Sequence, residues 1–381
     1  MTGWWRLVPL LLFSVFATAE VLAQRDEVKR AEAKRAEDAA FEAAHDGALR
    51  RAQVWLAPET LIERANLGDN PEGPDFLAPE KTVSCRFQPG GVAGSTPKFD
   101  CELDNGDTVK VKYGRDNPEL YTEVVATRLL AALGFPADRM YVVDRVRCYG
   151  CPADPFVGLQ CINEGKTVDT CFPDLDPKKY TEFDAAVIER PLKGRRIETT
   201  HHRGWDWEEL GKVDPAAGGA SRAHVDALRL MAMFLNHWDN KDKNQRLMCL
   251  GEKDPPGRQL TSEPCDRPVA MIQDLGATFG PLKLDLQKWA DSPVWSDAST
   301  CLVSMQSLPY EGSTFPDTRI SEEGRQFLAE RLKSLSPKQI RDLFEGARVA
   351  QYPLGEPDVD RWVSAFQTRM RAITDRGPCP A

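Results

Sequence analysis

Ten cysteines behind an apolar leader constrain this chain more than any other feature. Residues 1–23 carry one basic residue, Arg6, then an apolar run from Leu7 to Ala19. Small-residue cleavage sites follow at Ala17-Thr18-Ala19 or Val21-Leu22-Ala23. The pattern predicts export to the periplasm or the medium, with an uncleaved N-terminal anchor as the alternative. The run is too short for a comfortable membrane span, so no stable span is expected once the leader is removed. No Cys directly follows the leader, which argues against a lipid anchor. In an exported chain an even set of cysteines reads as disulfides. Proximity in sequence predicts Cys85–Cys101 and Cys249–Cys265. Cys148, Cys151, Cys161 and Cys171 either pair as well or hold zinc. No Cys-x-x-Cys-His is present, so covalent haem is not suggested.

The 381 residues suffice for one large domain or two ordinary ones, and 41% hydrophobic residues can build a packed core. A net charge of -9 gives no electrostatic case for nucleic acid. Residues 24–57 are rich in Ala, Glu, Lys and Arg and read as a solvated helix or stalk. Residues 58–79 read as linker, broken by Gly68, Pro71, Gly73 and Pro74. Strands are expected at 82–87, 98–103 and 108–113, with a Gly-rich loop at 90–96 and an Asn-Gly hairpin at Asn105-Gly106. A helix starts at Asn117-Pro118 and closes at Gly134. Two more strands, 141–146 and 185–188, flank a Cys-rich insertion at 147–180. The rest reads as mainly helical: 221–236, 321–335, 337–350 and 358–374, with Ser336 and Gln339 forming a capping box.

The chemistry sits at the end of the 221–236 helix. His237-Trp238-Asp239-Asn240-Lys241-Asp242-Lys243-Asn244 places an Asp and an Asn five positions apart, and Asp274-Leu275-Gly276 follows. Phosphoryl transfer needs such a set: a carboxylate to take the proton of an attacking hydroxyl, and hard oxygen donors for a divalent metal. Asp239 is the candidate base, and Asn244 and Asp274 are the candidate metal ligands. A cation must hold the phosphates, and Lys112 on the third strand is the candidate, oriented by Glu123 with Glu119 as competitor. The loop residues Gly90, Gly91, Gly94, Ser95 and Thr96 can bring backbone N–H groups close to phosphates. Each signal has an ordinary competitor: a hairpin turn, a solvated Lys face on the third strand, a polar loop. His237 reads as a structural histidine, and Trp205, Trp207 and Trp238 as packing residues.

The order of these signals resembles the divergent branches of the protein-kinase-like superfamily over about residues 80–350: HipA-like, phosphatidylinositol-kinase-like, spore-coat and secretory-pathway kinases. His237-Trp238-Asp239-x4-Asn244 is similar to the catalytic loop, with Trp where many members carry Arg. Asp274-Leu275-Gly276 is similar to the metal-binding Asp-Phe-Gly, and its extension to Phe279-Gly280 is similar to the secretory-pathway version. The resemblance implies an α+β fold of two lobes: a small antiparallel-sheet lobe with one helix over 80–192, and a larger helical lobe over 193–381. It implies ATP or another purine nucleoside triphosphate with Mg²⁺ or Mn²⁺, and a Lys112–Glu123 ion pair. It also implies a hinge from Glu189 to Leu192 beside the adenine, and a hydroxyl acceptor, a protein before a small molecule. No Ala-Pro-Glu motif is visible. The alternatives are a kinase-shaped binding or scaffold protein without activity, and an aminoglycoside- or choline-type phosphotransferase.

Overall fold

The computed structural model describes residues 9–92, 94–255, 259–281, 283–306 and 313–380, and for 9–24 and 26 the backbone only. Residues 1–8 of the expected leader lie outside the described residues, as do the side chains of its remainder. Among the described residues no helix is long and apolar enough to cross a membrane.

The first element among the described residues is a long helix, α1 (Pro9–Arg50). Three strands follow: β1 (Thr82–Gln88), β2 (Lys98–Leu103) and β3 (Thr108–Lys112). Helix α2 (Glu119–Leu133) leads to β4 (Arg139–Tyr149), and the insertion adds α3 (Pro155–Asn163) and α4 (Val168–Cys171) before β5 (Tyr180–Arg190). The strands form antiparallel neighbours in the order β1-β2-β3-β5-β4. The expected sheet was wholly antiparallel, but β1 also pairs in parallel with β4, Cys85 opposite Cys148, and closes the five strands into a small barrel. Alternation along the strands sends Phe99, Val109, Val111 and Ile188 into the barrel core. The same alternation turns Lys98, Lys110, Lys112 and Glu189 to the outer face, where α2 packs through Val124, Leu129 and Leu130.

The second half carries β6 (Gly194–Arg196), α5 (Arg222–Leu235), β7 (Gln245–Leu250), β8 (Pro268–Ile272), α6 (Leu286–Asp291), β9 (Leu302–Val303), β10 (Thr318–Arg319), α7 (Glu322–Lys333), α8 (Pro337–Gly346) and α9 (Val359–Thr374). Strands β6, β7 and β8 form a separate antiparallel sheet. Trp205, Trp207, Trp289 and Trp362 are fully buried in the large core, as packing residues.

Several boundaries differ from the sequence reading: the strands expected at 141–146 and 185–188 run over Arg139–Tyr149 and Tyr180–Arg190. Residues 24–57 are not all stalk: Phe41, Ala48, Leu49, Ala52 and Val54 are buried, and Gln53 bridges to β8. The linker contributes Leu67 and Asn70 to the interior, with the Asn70 amide donating to the Val142 carbonyl at 2.7 Å. Helix α2 begins one residue late, because the Asn117 side chain accepts the Glu119 N–H across Pro118. All ten cysteines are paired: Cys85–Cys101 and Cys249–Cys265 as expected, then Cys148–Cys151, Cys161–Cys171 and Cys301–Cys379. The zinc alternative falls, since its four thiols are consumed in two disulfides.

The end of α5 is held from outside. Arg369 on α9 is buried and donates to the carbonyls of Met233 (2.7 Å), Phe234 (3.0 Å) and Trp289 (2.7 Å), and also to that of Ser292. A guanidinium thus adds charged donors to carbonyls at the helix C-terminus, where Met233 also accepts the Asn236 N–H and Phe234 the Trp289 indole N–H, and its charge complements the helix dipole. Burial lowers the Arg369 pKa to about 9, so it remains cationic at neutral pH. Replacing Arg369 by Met should therefore destabilise the fold by at least about 3 kcal/mol, because buried carbonyls lose a charged donor. Urea denaturation of the two proteins measures the difference.

Candidate active site

Lys112 is the last residue of β3, and its ammonium is buried among three carboxylates. It pairs with Glu123 and Glu119 of α2, the latter at 3.3 Å, and with Glu189 of β5 at 3.3 Å. Glu189 also takes Lys110 at 2.9 Å, across the β3–β5 register. Glu119 in turn receives Lys283 at 2.6 Å and faces Lys98 at 3.7 Å. Burial disfavours the Lys112 cation, yet Glu123, Glu119 and Glu189 outweigh it and raise its pKa well above the ordinary lysine value. Burial likewise disfavours the Glu189 anion, but Lys110 and Lys112 outweigh it and hold the carboxyl at about 2. Burial raises the Glu123 carboxyl to about 8 against the field of Lys112, with Glu119, Asp274 and Glu189 adding to the rise. Lys112 is therefore not on a solvated face: it is buried and cationic at neutral pH, with Glu189 as its charged partner.

The segment after β8 docks beneath α2. Thr122 donates its hydroxyl to the Gly276 carbonyl at 3.1 Å. A Cβ at Gly276 would lie 2.8 Å from Cγ of Glu119 and 3.0 Å from Oε1 of Glu123, so only glycine lets the two carboxylates keep their lysine. Asp274 accepts the Gly276 N–H at 3.1 Å. Its field reaches Lys112, where it adds to the upward shift.

Asn236 ends α5 in the left-handed conformation and turns the chain into the motif. The Asn244 carbonyl accepts the N–H groups of Gln273 and Asp274, both at 3.0 Å. The Asn244 side-chain amide donates to the Asp239 carbonyl at 2.6 Å, which leaves its amide oxygen for a cation. Lys241 meets the Asp239 carboxylate at 2.7 Å. Asn240, fully buried, ties the turn to the His237 carbonyl at 3.1 Å and accepts from Ser313 at 2.8 Å. Trp238 anchors the other side by donating its indole N–H to the Gly280 carbonyl at 3.1 Å.

His237 is fully buried behind this turn, and burial lowers its pKa to about 4 against the fields of Asp274 and Asp239. It is neutral at pH 7 and structural.

The Gly-rich loop joins β1 to β2. Gly91 lies against Asn163 of α3, whose amide donates to the Val92 carbonyl, so the Cys-rich insertion grips the loop. Gly94 and Ser95 are exposed, Gly90 and Thr96 half-buried. The segment leaving β5 is fixed by Asp138, which accepts the Leu192 N–H at 2.8 Å and the Gln273 side chain at 3.2 Å. Gln273 also reaches Glu189 at 3.3 Å. Burial, with Glu189 adding to it, raises Asp138 to about 6.

Lys112, Glu123 and Asp274 thus fall in one neighbourhood, a backbone bond ties Asn244 to Asp274, and the Asn244 side-chain amide ties Asp239 to Asn244. The sequence reading missed Lys98, Lys241, Lys283, Asp138 and Gln273. Lys241 was legible two positions after Asp239, and the others carried no local signal. Asn244 and Asp274 offer oxygen donors, which fit Mg²⁺ or Mn²⁺ and not a thiolate-preferring metal.

No family model matches the chain, and no curated protein matches it. Among solved structures it is similar to the Helicobacter pylori proinflammatory kinase CtkA, at 10% identity and a TM-score of 0.38, covering 77% of this chain and 98% of that one. It is also similar to the Golgi casein kinase with manganese and ADP bound, at 10% identity and a TM-score of 0.33, covering 78% of this chain and 73% of that one. A second structure of the Golgi casein kinase gives 13% identity, a TM-score of 0.34 and coverage of 82% and 75%. Likeness at these scores decides neither fold nor activity; the residues themselves have to.

Two outcomes follow from the geometry. Gly276→Ala should destabilise the protein by about 1–3 kcal/mol in chemical denaturation, since overpacking forces apart a buried charged cluster. His237 binds its proton more readily unfolded, at a pKa of 6.5, than folded, at about 4. Stability from this residue is full above pH 6.5, is lost as pH falls through that window, and levels off below it. The loss amounts to about 3 kcal/mol. The difference in unfolding free energy between the native protein and His237→Phe should fall by that amount from pH 7 to pH 4, because the other titrating groups contribute alike to both.

Proposed function

We propose that the chain is an exported kinase-like phosphotransferase, which moves the γ-phosphate of a purine nucleoside triphosphate to a hydroxyl acceptor, taken here as a protein hydroxyl. The observation that carries this reading is the placement of Asp274. It lies under the helix that orients Lys112 and is bound through its backbone to the turn that presents Asp239 and Asn244.

When bound, the metal–nucleotide supplies the phosphoryl group and part of the charge that stabilises its transfer. The chain supplies the rest. Lys112 holds phosphate oxygens, and Glu123 keeps its ammonium aimed. Asn244 and Asp274 would hold Mg²⁺ or Mn²⁺ through oxygen. Asp239 takes the proton of the acceptor hydroxyl, with Lys241 beside it to steady the charge. Glu189 to Leu192 would form the hinge beside the base, and Asp138 holds the Leu192 N–H of that segment. The five disulfides support folding and work outside a reducing compartment.

Two variants separate binding from chemistry. Asp274→Ala should abolish the Mn²⁺-dependent thermal shift given by ATP, while the melting temperature without nucleotide stays within a few degrees. Asp239→Asn should keep that shift and lose turnover by about 10²–10⁴-fold, the usual contribution of a general base. Turnover measured as γ-phosphate transfer from labelled ATP, unchanged in Asp274→Ala, would sink the assignment. A native protein with no shift at millimolar ATP and Mn²⁺ would instead be a kinase-shaped binding protein.

A further inference from the structure

Three ammonium groups converge on one carboxylate. Glu119 faces Lys283 at 2.6 Å, Lys112 at 3.3 Å and Lys98 at 3.7 Å. Lys112 has two further carboxylates, and Lys283 has a close contact of its own. Lys98 has neither. Its contact with Glu119 is beyond hydrogen-bond distance, and it is the sole ion pair of Lys98 among the described residues, although the side chain is buried. Among the described ion pairs of Glu119, that of Lys98 is the longest, so its charge is the least compensated of the three and the most available to an arriving anion.

The surroundings of Lys98 say which anion. It is the first residue of β2 and stands opposite Lys112 in the β2–β3 register, so both ammonium groups leave the same face of the sheet. Above it lies the Gly-rich loop. Gly94 has φ +86°, and a Cβ there would lie 2.9 Å from the Lys98 ammonium. Loop backbone therefore rests directly on this cation.

We infer that Lys98 is a second phosphate-anchoring residue, which binds the phosphates beyond the first of a nucleoside polyphosphate between Lys112 and the Gly-rich loop. This rests on the nucleotide reading above. Glu119 is then a stand-in: it balances the three lysines while the phosphates are away, and remains on Lys283 and Lys112 when they arrive. Lys98 fits this role and Lys110 does not, because Lys110 is already bound to Glu189 at 2.9 Å.

The experiment is calorimetric titration of ATP and of AMP, each with Mn²⁺, into native protein, Lys98→Gln, Lys98→Arg and Gly94→Ala. Lys98→Gln should weaken ATP at least tenfold and AMP less than twofold, and Lys98→Arg should recover part of the loss. Gly94→Ala should weaken ATP selectively as well, because its methyl group displaces the ammonium without removing its charge. Equal ATP affinity in Lys98→Gln and native protein overturns the inference and leaves the nucleotide reading standing. Equal losses of ATP and AMP also overturn it, because they mark a merely structural lysine. Native protein that binds neither nucleotide overturns the reading and this inference with it. If Lys98→Gln does not fold, as judged by circular dichroism, Gly94→Ala and Lys98→Arg decide: selective ATP loss supports the inference, and native affinity in both overturns it.

Discussion

A lysine cannot sit in a dry interior alone, and much of this structure is arranged so that Lys112 does not. The ammonium needs carboxylates within about 4 Å, because in a low-dielectric site an opposite charge at that range is what keeps the charged form favoured. One comes from the neighbouring strand, as Glu189, and two from the adjacent helix, as Glu119 and Glu123. Each brings a further requirement. Glu189 is itself buried and takes Lys110. Glu119 and Glu123 lie one helical turn apart on α2, so the helix must face the sheet with that edge. The chain passing beneath them must then be glycine at 276.

This requirement reaches the metal-binding candidates through ordinary polar contacts. Gln273 touches both Glu189 and Asp138, and Asp138 holds the Leu192 N–H. The residue before Asp274 is thus bound to the strand that serves Lys112 and to the segment leaving it. On the far side, Cys85–Cys101 and Cys148–Cys151 lie at the barrel seam, and Asn163 of the insertion holds the Gly-rich loop. The disulfides stabilise a small barrel whose outer face is burdened with buried charge.

How far this was legible in the sequence depends on whether a signal is local. Asn236 to Asn244 and Asp274 to Gly276 are short and contiguous, and hydrogen bonds between the two segments hold them together. Lys112 and Glu123 were found from order along the chain. Lys98 was not, and the reason is register. A two-residue Asn-Gly turn would set Asp104 opposite Asp107 and send Lys98 opposite Tyr113. The turn instead spans three residues, with Leu103 bonded to Asp107 and Gly106 at φ +82°, and Lys98 falls opposite Lys112. A slip of one residue exchanges the two faces of a strand, so this lysine was assigned to neither site nor core. The core part of residues 24–57 was missed because Ala48, Ala52 and Val54 are small and lie next to a charged run. Parallel closure of β1 on β4 joins residues some sixty positions apart, for which no local pattern exists.

The turn after α5 shows why spacing in a motif can carry chemistry. Asn244 spends its carbonyl on the N–H groups of Gln273 and Asp274, and its amide N–H on the Asp239 carbonyl. Asn244 is therefore the common partner of the three candidate positions, through its own carbonyl to Asp274 and through its side-chain amide to the Asp239 backbone. Side-chain torsions are soft, whereas backbone positions locked by hydrogen bonds are not. The oxygens of Asn244 and Asp274 and the carboxylate of Asp239 hang from a frame that exists before any ligand arrives. Under the proposed reaction such a frame would need little reorganisation as charge develops, the condition under which electrostatic stabilisation is strongest. The five-residue interval supplies that frame: residues 240–243 form the turn that carries Asn244 back beneath Asp239, and Asn240 pins its start to the interior.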